Sequence, residues 1–378
     1  LDAYFTRIPL GRSYDRIRPV PGILDRVTRF LTAPEADSFE DLALAAFAYQ
    51  FERIEPYRRL CERRGATPET VQDWRQVPPV PAAAFKTLTL AAEPAVEVFR
   101  SSGTTGGGGG GGEQRSVHHH PFPDLYRRVI DASFPRFCLP YGGPLPILSL
   151  IPTREQLPDS SLSFMADHIL ARYGSPESAT AFGSRGVEAA KARSWAGARQ
   201  REGRPVLVLA TAFALAQWLD ALADRLGLKF RLPPGSAVFE TGGFKGKTTE
   251  LTRGELLARV QEWLGVPPDF VVREYGMSEL TSQFYTRVLL GGDPDLFVAP
   301  HWARVRLLDP ETLEEVPAGT PGLVTVFDLA NLGSAVHLLT EDLGIFERGE
   351  EDGFRLVGRA AGAELRGCSL VVEELRGG

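Results

Sequence analysis

The run Phe270-Val271-Val272-Arg273-Glu274-Tyr275-Gly276-Met277-Ser278-Glu279 reads as a strand over residues 270–273 that opens into a loop. The loop carries a phenol, a glycine, a hydroxyl and a carboxylate. In α/β proteins the carboxyl end of a strand is where ligands are placed. The stretches before it set the fold class. Residues 253–264 have helical spacing and stop at Gly265, and 237–239 read as a strand. Residues 213–226 make an amphipathic helix stopped by Gly227, after a β-branched strand at 206–209. Residues 186–202 and 161–173 are helical, the latter stopped by Gly174, and 145–151 is a short apolar run that suits a buried strand. Strands alternating with helices predict parallel pairing and α/β layers.

After about residue 297 the character changes. Residues 303–308, 322–327, 344–347 and 354–357 read as strands between turn-rich segments such as Asp309-Pro310-Glu311, which predicts a β-rich C-terminal subdomain. On the other side, Ser38-Phe39-Glu40-Asp41 reads as a capping box. The helix it opens has an apolar face of Leu44, Phe47, Phe51, Ile54 and Cys61 and ends at Gly65. The Pro- and Ala-rich stretch 77–84 reads as a connector. The chain therefore divides into a helical lead-in at 1–100, an α/β nucleotide-binding core at 101–296 and the β-rich part at 297–378.

A chain of 378 residues buries roughly three quarters of its unfolded surface and needs no disulfide staples. Its net charge of -6 argues against a nucleic-acid partner, which selects a basic stripe. The 3 cysteines, Cys61, Cys138 and Cys368, are far apart and show no metal spacing. Together with the lack of a membrane-length apolar run and of a signal-peptide core near the N-terminus, they predict a cytoplasmic protein.

Ser101-Ser102-Gly103-Thr104-Thr105-Gly106 follows a plausible strand at 96–100. Backbone N–H groups and hydroxyls in such a loop can wrap phosphate oxygens. A bare Gly/Ser/Thr linker is the alternative, and the glycine run at 106–112 is low-complexity. His118 to His120 suggest metal at first sight. With no carboxylate or cysteine at ligand spacing they read as a solvated loop.

The hydroxyl-glycine loop resembles the phosphate-binding loop of the adenylate-forming superfamily, which includes acyl-CoA synthetases. Many members carry a Lys shortly after it; Gly109 stands there, and Arg115 is the nearest basic residue. Tyr275-Gly276-Met277-Ser278-Glu279 is similar to the superfamily's Tyr-Gly-x-Thr-Glu motif. The resemblance implies that Tyr275 lies near adenine, Ser278 touches phosphate and Glu279 holds Mg²⁺. Alone, the segment reads as a turn with a solvated Glu; paired with the hydroxyl-glycine loop it reads as the site. Thr340-Glu341-Asp342 resembles the Thr-Gly-Asp motif whose Asp binds both ribose hydroxyls, with Glu341 in place of Gly; taken alone Asp342 is a turn residue. Gly358-Arg359 and Arg366-Gly367 resemble the hinge that ends the large domain, one residue short and without its Asp and Lys. Arg359 would contact ribose or phosphate, or else form a surface ion pair. Gly242 and Gly243 match the segment that lies along adenine, and Lys245 and Lys247 stand either as replacements for the loop Lys or as solvated surface lysines. Gly246-Lys247-Thr248 mimics the end of a Walker A motif, but the leading glycine falls at Thr241 and the match fails.

The whole chain resembles a narrower family, the acyl-protein synthetases of the bacterial fatty acid reductase complex. The carrying segments are 42–57, 101–106, 240–247, 275–279 and Glu364-Leu365-Arg366-Gly367-Cys368-Ser369-Leu370. The resemblance implies the large domain of an adenylate-forming enzyme without the mobile C-terminal cap. It also implies ATP and Mg²⁺ as cofactors, a carboxylic and specifically a fatty acid as substrate, and an acyl-accepting reductase or carrier protein as partner. Cys368 matches the cysteine that takes the acyl group as a thioester; without the resemblance it reads as a small buried residue beside a strand at 370–372. The catalytic candidates are Cys368, Glu279 and Thr104. The cofactor-binding candidates are Ser101, Ser102, Gly103, Thr104, Thr105, Gly106, Gly242, Gly243, Tyr275, Gly276, Ser278, Asp342 and Arg359, with Glu279 as the metal ligand. Three rivals stand beside this reading: a ligase that uses CoA or a carrier protein, a non-catalytic nucleotide-binding or assembly module, and, more distantly, a P-loop phosphohydrolase. The segment 213–218 and Phe284-Tyr285 are candidate walls for the acid.

Overall fold

The computed structural model describes residues 22–101, 114–139, 142–226, 229–242, 251–347, 353–360 and 366–376, with backbone only for 225–226 and 366–369. Three helices lead, α1 (Ile23–Phe30), α2 (Phe39–Arg53) and α3 (Glu55–Arg63), followed by the short strand β1 (Val80–Pro81). A hairpin of β2 (Glu97–Arg100) and β3 (Val117–His120) precedes α4 (Pro123–Cys138). Then come β4 (Ile147–Ser149), α5 (Ser161–Tyr173), β5 (Ala179–Thr180), the small hairpin β6 (Phe182–Gly183) and β7 (Gly186–Val187), and α6 (Ala189–Glu202). The alternation continues through β8 (Leu207–Thr211), α7 (Ala212–Leu226), β9 (Ala237–Thr241), α8 (Arg253–Leu264) and β10 (Val271–Tyr275). The C-terminal part holds β11 (Phe284–Thr286), β12 (Phe297–Val298), β13 (Ala303–Leu308), β14 (Gly322–Asp328), β15 (His337–Ile345), β16 (Gly353–Arg359) and α9 (Arg366–Arg376).

One sheet runs β13-β14-β15-β16-β12-β11-β10-β9-β8-β4-β5, with β1 paired to β15. The strands β5, β4, β8, β9 and β10 are parallel. From β11 onward the pairing is antiparallel. The expected class is what forms: an α/β core joined to a β-rich C-terminal part. The parallel strands are buried on both faces, which is why they read as apolar runs without alternation. One face packs on Trp195, Leu215, Trp218 and Val260 of the flanking helices. The other packs on Ile130, Phe134, Phe164 and Ile169 of α4 and α5. The N-terminal helices share a third core with the C-terminal strands, where Phe39 and Trp74 meet Phe327 edge-on.

Local signals explain the element ends. Ser160 caps α5 by accepting from Ser163 N, and Thr252 with Glu255 forms a full capping box on α8. Gly265 ends α8 at φ 72°, a left-handed conformation that disfavours a side chain. Several expectations need correction. Ser38 does cap α2, but the helix breaks at Ile54, because Pro56 stands in the first turn of α3 and has no N–H to continue the ladder. The 77–84 connector contributes β1 to the sheet. The strand expected at 344–347 is β15, which begins at His337. The strand expected at 370–372 is helix α9, whose Val371 and Leu375 are buried four residues apart on one face.

Candidate active site

The carboxyl ends of β9 and β10 lie side by side, with Glu274 opposite Thr241. This places Gly242 and the Tyr275–Glu279 loop at one edge of the parallel sheet, the edge at which α/β folds bind ligands. Gly242 has φ 67°, so the turn out of β9 requires a glycine. Beneath the loop, the Thr241 hydroxyl donates to the Glu274 carboxyl. Glu274 is buried, and burial pushes its carboxyl up to about 7 despite the Thr241 bond, with the nearby Glu240 adding to the rise. A Cβ on Gly276 would meet Glu274 Oε1 and displace the end of that side chain. Glu240 is held between Arg253 and Arg273, at 3.4 and 3.7 Å.

Three of the expected nucleotide contacts meet here. The Tyr275 hydroxyl donates to Asp342 Oδ2 at 3.0 Å, and the ring packs on Phe284, Phe297 and Phe354. Asp342 on β15 faces Arg359 on β16 in register, and Arg359 Nε lies 3.3 Å from Asp342 Oδ1. The same guanidinium reaches Glu341 at 3.0 Å, so Arg359 sits in an ion pair as well as beside the proposed ribose acid. An ionised carboxylate has about four acceptor positions. Asp342 thus keeps room for two ribose hydroxyls after accepting from Tyr275 and Arg359. Residues from sequence positions 275, 342 and 359 form one cluster although β16, β12 and β11 lie between β15 and β10 in the sheet order.

Ser278 and Glu279 follow in the loop, and Glu279 is only 5% exposed. Among the described residues no group of three His, Cys, Asp or Glu could hold a metal ion. A lone carboxylate completed by substrate phosphates is nonetheless the way Mg²⁺ is usually held, so Glu279 fits that role. Ser101 stands at the mouth of the β2–β3 hairpin, where its Oγ accepts from Ser116 N at 3.0 Å. Ser102, Gly103, Thr104, Thr105, Gly106, Gly243, Lys245 and Lys247 lie outside the described residues. Arg115, a candidate for the missing loop Lys, spends its guanidinium on the carbonyls of Ser101 and Arg100 and on Asp159. It braces the hairpin base.

The histidine run is the main reversal. His118 to His120 form β3, not a solvated loop, and His118 and His120 are 1% and 4% exposed. His118 Nδ1 donates to the Ser278 carbonyl at 2.7 Å, and His120 Nε2 bonds Thr281 Oγ1 at 3.1 Å. Burial holds the His118 imidazole down at about 4 and drives His120 well below its usual value, so both are neutral at pH 7. The only sequence signal was alternation, His118 and His120 inward and His119 between them, and three polar letters hid it. The expected acid walls also separate: Trp218, Phe284 and Tyr285 belong to three different cores.

Cys368 falls in the first turn of α9. That helix is tied to α3 by Arg64 and Glu374 at 2.8 Å, and Arg376 Nε donates to Thr87 Oγ1. Cys61 and Cys138 are buried, and burial raises both thiols, Cys61 to about 12. Among the described residues no helix is long and apolar enough to cross a membrane.

The arrangement matches known proteins. Two crystal structures of 2-hydroxyisobutyryl-CoA ligase share the fold. One, an open conformation in complex with 2-HIB-AMP and CoA, aligns over 87% of this chain and 70% of its own at 18% identity and TM-score 0.60. The other, in the postadenylation state, aligns over 94% and 74% at 16% identity and TM-score 0.61. At these identities the likeness shows a shared fold. Residues 195–375 match the family model of acyl-protein synthetase, LuxE. A Vibrio harveyi relative, long-chain-fatty-acid--luciferin-component ligase, is 23% identical over 351 residues, covering 88% of this chain and 86% of its own.

Proposed function

We propose that this chain uses ATP and Mg²⁺ to convert a fatty acid into an acyl-adenylate and then transfers the acyl group to the Cys368 thiol. The observation that carries the reading is the Tyr275–Asp342–Arg359 cluster beside the Glu279 loop. It gathers an adenine platform, a ribose acceptor and a cation from three distant motifs. A carboxylate is a poor acyl donor because its leaving group is poor. Its oxygen attacks the α-phosphorus of ATP, the bond to pyrophosphate breaks, and the acyl group is left on AMP. The Cys368 thiol then loses its proton to solvent, its sulfur attacks the acyl carbonyl, and the C–O bond to AMP breaks. Magnesium held by Glu279 would offset charge on the displaced pyrophosphate. The choice of Cys368 is supported by its first-turn position in α9, since helix N-termini favour a thiolate, and by the burial that makes Cys61 and Cys138 poor nucleophiles. The long-chain fatty acid in the relative's name supports the substrate class, and a partner reductase or carrier protein would take the acyl group onward.

The test is acid-dependent ATP–pyrophosphate exchange with a series of fatty acids, run beside Cys368→Ser. Exchange in both proteins, with acid-stable labelling by radioactive fatty acid only in the wild type, is expected. Equal labelling of the variant removes Cys368 as acceptor. Absence of exchange with every acid removes the adenylating reading.

A further inference from the structure

The buried histidines of β3 do more than fill space. His118 bonds a carbonyl, which can only accept, so the proton is on Nδ1. For His120 the tautomer follows from its neighbours. Asn331 Nδ2 donates to two backbone carbonyls, Glu279 at 3.0 Å and Ala335 at 2.7 Å, which fixes Asn331 Oδ1 as an acceptor. The Thr281 hydroxyl gives its proton to that Oδ1 at 2.9 Å. Thr281 Oγ1 therefore accepts from His120, whose proton must be on Nε2. His120 Nδ1 is left without a partner. The two carbonyls that flank the Glu279 Cα are thus held from opposite sides. Ser278 C=O is held by His118 on the β2–β3 hairpin, and Glu279 C=O by Asn331 in the turn that follows β14. Asp328 secures the next turn by accepting from Thr281 N, Ser282 N and the Ser282 hydroxyl.

The hairpin matters because its mouth carries Ser101, the first residue of the hydroxyl-glycine sequence. Its return strand ends in the histidines that grip the Glu279 loop. We propose that His118 is a positioning residue that locks the phosphate hairpin to the Glu279 loop through the Ser278 carbonyl. Resting on the adenylating reading above, this makes the hairpin and the metal-binding acid a single unit. A loop without the lock would still bind nucleotide through Tyr275 and Asp342 but would present Glu279 in the wrong orientation.

The donor atom makes the test specific. In His118→Asn the amide nitrogen replaces Nδ1 at the same distance from Cβ and can reach the same carbonyl. In His118→Gln the nitrogen stands one bond farther out and cannot. His118→Ala lacks a donor. Pyrophosphate exchange is measured for all three against Mg²⁺ and ATP concentration. His118→Gln and His118→Ala should lose about tenfold in kcat, the worth of one buried hydrogen bond. They should need more Mg²⁺ with little change in the KM for ATP, and His118→Asn should rescue both. Amide hydrogen exchange of residues 276–282 without substrate gives a readout independent of activity: protection should fall in the Gln and Ala variants and persist in the Asn variant. If Asn behaves like Ala in either readout, or if the Gln and Ala variants keep the wild-type Mg²⁺ requirement and protection, the lock is refuted. An inactive wild type would sink the adenylating reading instead, with the exchange protection still deciding the lock.

Discussion

Glu274→Gln should make the protein less sensitive to alkaline pH. Glu274 sits between Thr241 on β9 and Tyr285 on β11 in the sheet register, 7% exposed, under Gly276. Burial lifts its carboxyl from 4.5 to about 7. In the unfolded chain the group ionises near 4.5, while the folded chain holds the proton until about pH 7. Folding therefore retains a proton in that window, and stability falls as pH rises through it. Below the unfolded value the group costs nothing; above the folded value the cost is complete, about 3 kcal/mol. Glutamine cannot ionise, and its amide oxygen still accepts from the Thr241 hydroxyl. The repulsion from Glu240 is already part of that rise. Urea unfolding followed by tryptophan fluorescence, at pH 5 and pH 8, should show the wild type losing about 2.5 kcal/mol more than the variant over that interval. Parallel losses in the two proteins would mean that Glu274 is ionised at neutral pH, and the account of this edge of the sheet would fail.

Asp342→Asn removes the charge that faces Arg359 while keeping an amide oxygen that can accept from Tyr275; the KM for ATP in pyrophosphate exchange should rise about tenfold or more, and an unchanged KM would remove Asp342 from the ribose site. Asp328→Ala strands Thr281 N, Ser282 N, Ala330 N and the Ser282 hydroxyl in the interior; it should cost about 3 kcal/mol or more in urea unfolding, and a loss under about 1 kcal/mol would show that the network is dispensable. The Arg355 fork holds the Asp293 carboxyl down at about 2 from 3.8. That contribution is present above pH 4 and is lost as pH falls through the folded value. The carboxylate is 39% exposed, so Asp293→Asn should cost under about 1 kcal/mol at pH 7 and flatten the acid limb of the stability curve.

Much of the architecture was legible in one dimension because its signals are local. Helical spacing over 161–173 and 253–264, with the stops at Gly174 and Gly265, placed α5 and α8 where they form. The apolar runs that became β4, β8, β9 and β10 are buried on both faces, so their composition alone shows strand. Tyr275, Asp342 and Arg359 were found through motif resemblance, although no sequence spacing says that they touch. They meet only in the folded sheet, across strands that are not neighbours in its order.

The histidines of β3 show the opposite limit. His-His-His beside a glycine-rich loop has the composition of solvated chain. Its burial comes from Phe85, Phe99, Tyr126 and the 278–281 loop, which packs on it from 160 residues away. The broken helix at Ile54 and the helical α9 were likewise settled by packing, where period and propensity allowed more than one answer. The sequence by itself determined which residue types could bind nucleotide and activate an acid, because covalent chemistry and local capping belong to single residues and short spans. Which polar groups are dry, which carbonyls are held and which acid keeps its proton were decided only by tertiary structure, because desolvation depends on neighbours that the chain brings together from afar.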